Sequence, residues 1–175
     1  VVAFEEIETE FSPKQYDMFI PLSYRNVNKA RAEKYYQAKS KGYKLISYIC
    51  SKAITWPDID IGDNCFIFEN NVIQPFVKIG NNVILWSGNH IGHHSTIKDH
   101  CFITSHVVIS GNVTIGDRCF IGVNATIRDN IQIASQCVIG AGAIITKNTQ
   151  EKGIYYGSGA NILKKTGTSE ELNKI

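Results

Sequence analysis

Several things are scarce in this chain of 175 residues. No apolar run approaches the roughly 18 residues a membrane-crossing helix needs, so no span is expected. The opening residues, Val1-Val2-Ala3-Phe4-Glu5-Glu6, lack a basic stretch followed by an apolar core, so no signal peptide is expected. The chain does not begin with Met, which leaves room for residues before Val1. Neither charge sign dominates: 18 Lys plus Arg against 16 Asp plus Glu give a net charge of +2. That balance argues against nucleic acid or an anionic membrane as the main partner. There is no Cys-x-x-Cys pair. Cys50, Cys65, Cys101, Cys119 and Cys137 are odd in number and read as reduced, buried thiols of a cytoplasmic protein. No glycine precedes Gly42, so the N-terminal part holds no Gly-rich phosphate loop. No histidine lies outside positions 90–106.

What is present is a repeat. From Ile61 an aliphatic residue recurs every sixth position: Ile61, Ile67, Ile73, Ile79, Leu85, Ile91, Ile97, Ile103, Ile109, Ile115, Ile121, Ile127, Ile133, Ile139 and Ile145. Four residues after each, the side chain is mostly small or β-branched, as at Cys65, Val77, Val83, Ser95, Cys101, Val107, Cys119 and Ala125. Gly, Asn and Asp fill the positions between and tolerate the positive φ of turns. A period of six fits neither a helix nor an alternating strand. It fits a short strand and a turn, three of which close a triangular coil of 18 residues. Coils then stack at strand spacing, about 4.8 Å. The expected fold is therefore mainly β: a parallel β-helix over residues 56–150. Cys65, Cys101, Cys119 and Cys137 differ by multiples of 18 and share one wall.

The ends differ. Over residues 1–55, Asp17–Leu22 reads as a buried strand, Asn26–Lys41 as a helix stopped by Gly42, and Tyr43–Ile49 as a second strand. This predicts a partial α/β, Rossmann-like segment. Residues 151–175 form a C-terminal extension, and the Thr168–Glu171 spacing predicts a short helix.

The five histidines are His90, His93, His94, His100 and His106. A neutral imidazole can take a proton from an attacking amine or hydroxyl. A backbone N–H can steady the oxyanion at a thioester carbonyl. A metal site is the second reading, but His94, His100 and His106 sit one repeat apart and so face three corners of a coil. They could meet only between subunits. Exposed turn histidines without a role are the third reading.

Four stretches resemble the sugar acyltransferases related to sialic-acid O-acetyltransferase and bacillosamine-pathway N-acetyltransferase. They are Asn28–Ala53, His93–Ile97, Ser110–Ala125, and Ile139–Ala143 with Glu151–Gly153 and Gly157–Ala160. The resemblance implies a left-handed β-helix, a homotrimer, and acetyl-CoA as co-substrate with no metal. It implies a nucleotide-linked sugar as acceptor, sugar-nucleotide binding by residues 1–55, and His93 as general base, with His94 and Asp99 as further catalytic candidates. His94 stands where the family has Asp or Glu, so a neighbouring carboxylate such as Asp99, or a backbone carbonyl, is expected to orient His93. Phe102 stands where the family has a second histidine. Asn89, His90 and His106 are expected at the acceptor. Gly122, Gly140, Ala141, Lys147 and Lys164 are expected at acetyl-CoA, with Lys165 as a further candidate for its phosphates. The expected reaction is direct acetyl transfer to the amine of a nucleotide-linked amino sugar. A sugar O-acetyltransferase is the alternative. A γ-type carbonic anhydrase-like metalloenzyme and a non-catalytic scaffold are alternatives of other classes.

Overall fold

The computed structural model describes residues 1–57 and 59–159. Lys164, Lys165 and the Thr168–Glu171 helix signal lie outside the described residues. From Tyr48 to Tyr155 the chain forms eighteen strands of two residues each. They assemble into three parallel sheets of seven, six and five strands. Strands pair with those 18 residues away, as in Phe102↔Phe120, Val108↔Thr126 and Thr96↔Thr114. Only the last coil is shorter, with Val138 opposite Ile154.

The three sheets are the faces of a prism, called first, second and third in chain order. The first begins at Tyr48–Ile49, the second at Ile54–Thr55 and the third at Asp60–Ile61. The turns make three corners. Residues 68–71 and their repeats join the first face to the second at the first corner. Residues 74–77 and theirs make the second corner; residues 62–65 and theirs make the third.

Each strand points its second residue inward. Ile67, Ile91, Ile103, Ile115, Ile121 and Ile139 are wholly buried. Burying one such side chain stabilises by roughly 1.5–3 kcal/mol, so a continuous stack carries the solenoid. The turn after each strand places one residue at positive φ. This recurs every sixth position from Asn64 to Gly142 and includes His94, His100 and His106. The cysteine wall lies at the third corner. Cys65, Cys101, Cys119 and Cys137 are unpaired, and each thiol donates to a carbonyl of the next coil at 3.0–3.1 Å. Burial pushes the Cys65 thiol up to about 11 and holds the Cys101 thiol well above its usual range, which makes these two inert packing groups.

The repeat begins earlier than the aliphatic series. Strands Tyr48–Ile49 and Ile54–Thr55 precede residue 56, but Thr55 interrupts the aliphatic pattern. The N-terminal expectation needs correction. The helix is present at Lys29–Ser40, followed by Gly42 at φ 89°. The two flanking strands meet each other in one parallel bridge, Met18↔Leu45, and the end of the second, Tyr48–Ile49, pairs with the solenoid instead. No Rossmann-like sheet is formed among the described residues. Instead the segment is a lid on the solenoid. Ile20 N–H donates to Asn64 Oδ1 at 2.8 Å, and the Tyr35 hydroxyl donates to Asp63 at 2.6 Å. Tyr24 packs against Phe102 and Phe120 on the first face. The fully buried Arg31 donates to the carbonyls of His100 at 2.8 Å and Cys101 at 3.0 Å and faces the Phe102 ring at 5.7 Å. Burial lowers its pKa to about 10, so it remains charged. These polar anchors, rather than a second sheet, hold the helix in place.

Candidate active site

His93 and His94 stand together at the second corner, exposed. His94 occupies the positive-φ position at 60°. That turn swings the two rings edge to face, with Nδ1 of His93 3.0 Å from Nδ1 of His94. One Nδ1 must donate and the other accept. When His93 donates, its Nε2 is left unprotonated and able to accept a proton. In that tautomer the His94 ring accepts where a carboxylate could equally accept.

Both histidines are held from the neighbouring coils. The His93 N–H donates to Gln74 Oε1 at 2.9 Å, and the His93 carbonyl accepts from Asn112 N–H at 2.8 Å. The His93 ring lies over Gly111, where a Cβ would come within 2.8 Å of Cε1 and Nε2. The His94 ring leans on Phe76, with centroids 4.7 Å apart. Gln74, Phe76 and Gly111 did not emerge from the sequence reading. The 18-residue stacking would have found Gly111, directly above His93, and the other two one coil below.

The other expected residues divide among the corners. Lys147 lies on the His93 edge, three coils on, which is about 14 Å at strand spacing. His90 faces outward on the second face, between Val72 and Val108. Asn89, His106, Gly122, Gly140 and Ala141 all lie at the first corner. Asn89 is buried, and its side chain bonds the Trp86 carbonyl at 2.6 Å and the Val107 N–H at 2.8 Å. It is a buried rung of the corner, out of reach of an acceptor. The His106 ring lies over Gly88, where a Cβ would come within 2.6 Å of Nδ1. Gly122 and Gly140 give their N–H groups to the carbonyls of Ile139 and Tyr155, each at 2.7 Å. They therefore offer close approach, not donors. A Cβ on Gly122 would come within 2.6 Å of the Ala141 nitrogen.

Asp99 is not brought to His93. Six residues of chain carry it to the third corner, where Oδ1 accepts from the Asn81 N–H at 2.7 Å. His100 is buried there. It accepts from Asn82 Nδ2 at 2.8 Å on Nδ1 and meets the Tyr36 hydroxyl at 2.9 Å on Nε2. Burial lowers its pKa. Phe102, where a second histidine was expected, belongs to the aromatic stack of the first face, 5.9 Å from Phe120. His94, His100 and His106 stand at three different corners. Among the described residues no three His, Cys, Asp or Glu side chains gather to hold a metal ion, and no helix is long and apolar enough to cross a membrane.

The solenoid matches two family descriptions. "Bacterial transferase hexapeptide (six repeats)" matches residues 58–93 and 77–111, and "Hexapeptide repeat of succinyl-transferase" matches residues 112–147. No curated protein matches the chain. Among solved structures, the acetyltransferase domain of PglB from Neisseria gonorrhoeae is similar at 25% identity and TM-score 0.81, covering 87% of this chain and 73% of that one. PerB from Caulobacter crescentus, solved in complex with CoA and GDP-perosamine, shares the fold at 19% identity and TM-score 0.82, covering 88% of this chain and 73% of its own. WeeI from Acinetobacter baumannii does so at 19% identity and TM-score 0.61, covering 78% and 66%.

Proposed function

Because the chain belongs to the hexapeptide-repeat acyltransferases, we propose that it transfers acetyl from acetyl-CoA directly to the amine of a nucleotide-linked amino sugar, with His93 as general base. The observation that carries this reading is the exposed His93–His94 pair, its Nδ1 atoms 3.0 Å apart. The acceptor amine attacks the thioester carbonyl while Nε2 of His93 takes the amine proton. The tetrahedral intermediate then collapses, and CoA leaves as its thiolate. General-base assistance of this kind contributes about 10²–10⁴-fold. The acceptor class and the CoA chemistry are taken over from neighbours solved with GDP-perosamine, CoA and acetyl-CoA.

The distribution of outward residues supports a homotrimer. The second face presents Ile54, Val72, His90, Val108, Thr126 and Ile144, with Ile54 64% and Ile144 71% exposed. The third presents Asp60, Lys78, Thr96, Thr114 and Gln132. Three left-handed helices packed in parallel, second face inward, would set the first corner of each copy against the second corner of the next. His106, Gly122, Gly140 and Ala141 would then face His93 and Lys147 of a neighbour, completing an acetyl-CoA groove that one copy leaves divided. The unpaired cysteines suit a reducing compartment, and we assign the reaction to the cytoplasm.

The test is CoA-thiol release from acetyl-CoA with nucleotide-linked amino sugars and their hydroxyl analogues, wild type beside His93→Ala. Release with an amino sugar that collapses in the variant supports the reading. Equal release by the variant removes His93 from the mechanism; faster release with the hydroxyl analogue moves the reaction to O-acetylation.

A further inference from the structure

At one place an aromatic side chain sits where neither backbone nor burial explains it. The positive-φ position of the turns holds Asn, Gly, His, Arg or Gln at 64, 70, 82, 88, 94, 100, 106, 112, 118, 124, 130, 136 and 142. At 76 it holds Phe, with φ 62° and 74% of its surface exposed. A bulky residue is disfavoured in this region, and exposing a phenyl ring forgoes its burial. One coil below stands Trp56, itself 56% exposed. Together with Pro57, Pro75 and Val77 they line an open groove along the second corner. Phe76 joins this groove to the histidine pair, because its other side carries the His94 ring.

We propose that the groove of Trp56 and Phe76 is a stacking platform for the planar base of the nucleotide-linked acceptor, and so a specificity subsite for the reaction at His93. The inference rests on the reading of the chain as a nucleotide-sugar acetyltransferase. Trp56 lies two coils below the level of His93, about 10 Å at strand spacing. A diphosphate and a sugar bridge a gap of that size between base and reacting amine. Among the described residues no Gly-rich loop and no nucleotide-binding sheet offers the base a seat. Aromatic faces provide one that tolerates any base, because every base has a π-face. Lys78 lines the groove from the third face with Asp60 beside it, and no ion pair joins these two. The second aromatic groove, between Phe19, Phe68, Trp86 and Phe102, lies on the first face, which is opposite the second corner. A base bound there lies across the prism from the His93 of its own copy.

The chain's two tryptophans fall one in each groove, which makes the test direct. Trp86→Phe leaves Trp56 as the sole indole, and Trp56→Phe leaves Trp86. Each is titrated with uridine and guanosine diphosphates while indole emission is followed. Saturable quenching of Trp56, weakened about tenfold by adding Phe76→Ala, is the expected result. The same quenching with no CoA release from any sugar keeps the base site and removes the acetyl-transfer reading. Quenching of Trp86 instead moves the base to the first face and overturns the proposal. Active acetyl transfer with neither indole quenched overturns it too. So does a Trp56 emission that shifts on dilution and ignores nucleotide, which would give the groove to a second copy.

Discussion

His94 and His100 hold the same place in successive turns, at φ 60° and 62°, and have opposite fates. At the second corner His94 is exposed among the described residues, and its ring pairs with His93 while Phe76 leans on it from below. At the third corner helix Lys29–Ser40 closes over His100, and Asn82 and Tyr36 take both ring nitrogens. The backbone is the same in both. Cover and partners alone decide that one imidazole stays exposed beside His93 and the other is part of the wall. A repeat fold thus makes like turns differ by what covers them. The sharpest way to break this contrast is to exchange the consequences. His93→Ala should lower the transfer rate by about 10²–10⁴-fold and leave the melting temperature where it was. A variant that melts early, or that keeps its rate, would show that the free corner is structural after all.

The next effect reaches His93 without altering it. Gly111 has no positive φ, so its backbone accepts alanine, but the new Cβ would meet the His93 ring at 2.8 Å. Gly111→Ala should displace the ring and cost about 10²-fold in rate while the fold persists. Saturation with acetyl-CoA should not restore it. An unchanged rate would mean that the ring position over Gly111 is incidental.

Much of this was readable in the residues. The run from Ile61 to Ile145 marks every inward rung between those positions, because a buried stack repeats its own geometry. The first coil was hidden by Thr55, and the N-terminal sheet was over-read: Asp17–Leu22 and Tyr43–Ile49 have strand composition but meet each other only at Met18 and Leu45, while Tyr48–Ile49 pairs with Phe66–Ile67 in the solenoid. Composition cannot show that Arg31, Asn28 and Tyr35 dock the helix on the solenoid, since such docking rests on polar groups meeting carbonyls far away in sequence. Proximity in sequence likewise misleads around the site. Asp99 is six residues from His93 and one corner away, whereas Gly111 is eighteen away and in contact.

At the third corner the expected effect is on stability. His100→Asn suits the left-handed turn and extends the stack of Asn64 and Asn82, but it cannot reach Tyr36. Losing that contact should destabilise the protein by about 1 kcal/mol in denaturant unfolding, with the rate per folded molecule unchanged. A fall in rate instead would tie the covered corner to catalysis.

The smallest effect depends on pH. Burial lowers the folded pKa of His100 below its unfolded value of about 6.5. The group facing its Nδ1 is the Asn82 amide N–H, whose direction is fixed because Asn82 Oδ1 already accepts from Asn64 at 2.8 Å. A proton on Nδ1 would meet a donor, and Arg31 opposes the added charge, although Asp99 and Asp117 favour it. The folded state therefore binds this proton more weakly than the unfolded state. The stability from His100 is fully present above about pH 6.5 and is lost as pH falls from there toward the lower folded pKa. Unfolding free energy should decline over that interval in wild type and decline less in His100→Asn, measured by denaturant titration at stepped pH. Parallel curves for the two proteins would mean that His100 does not titrate differently on folding, and the contrast between the corners would then rest on cover alone.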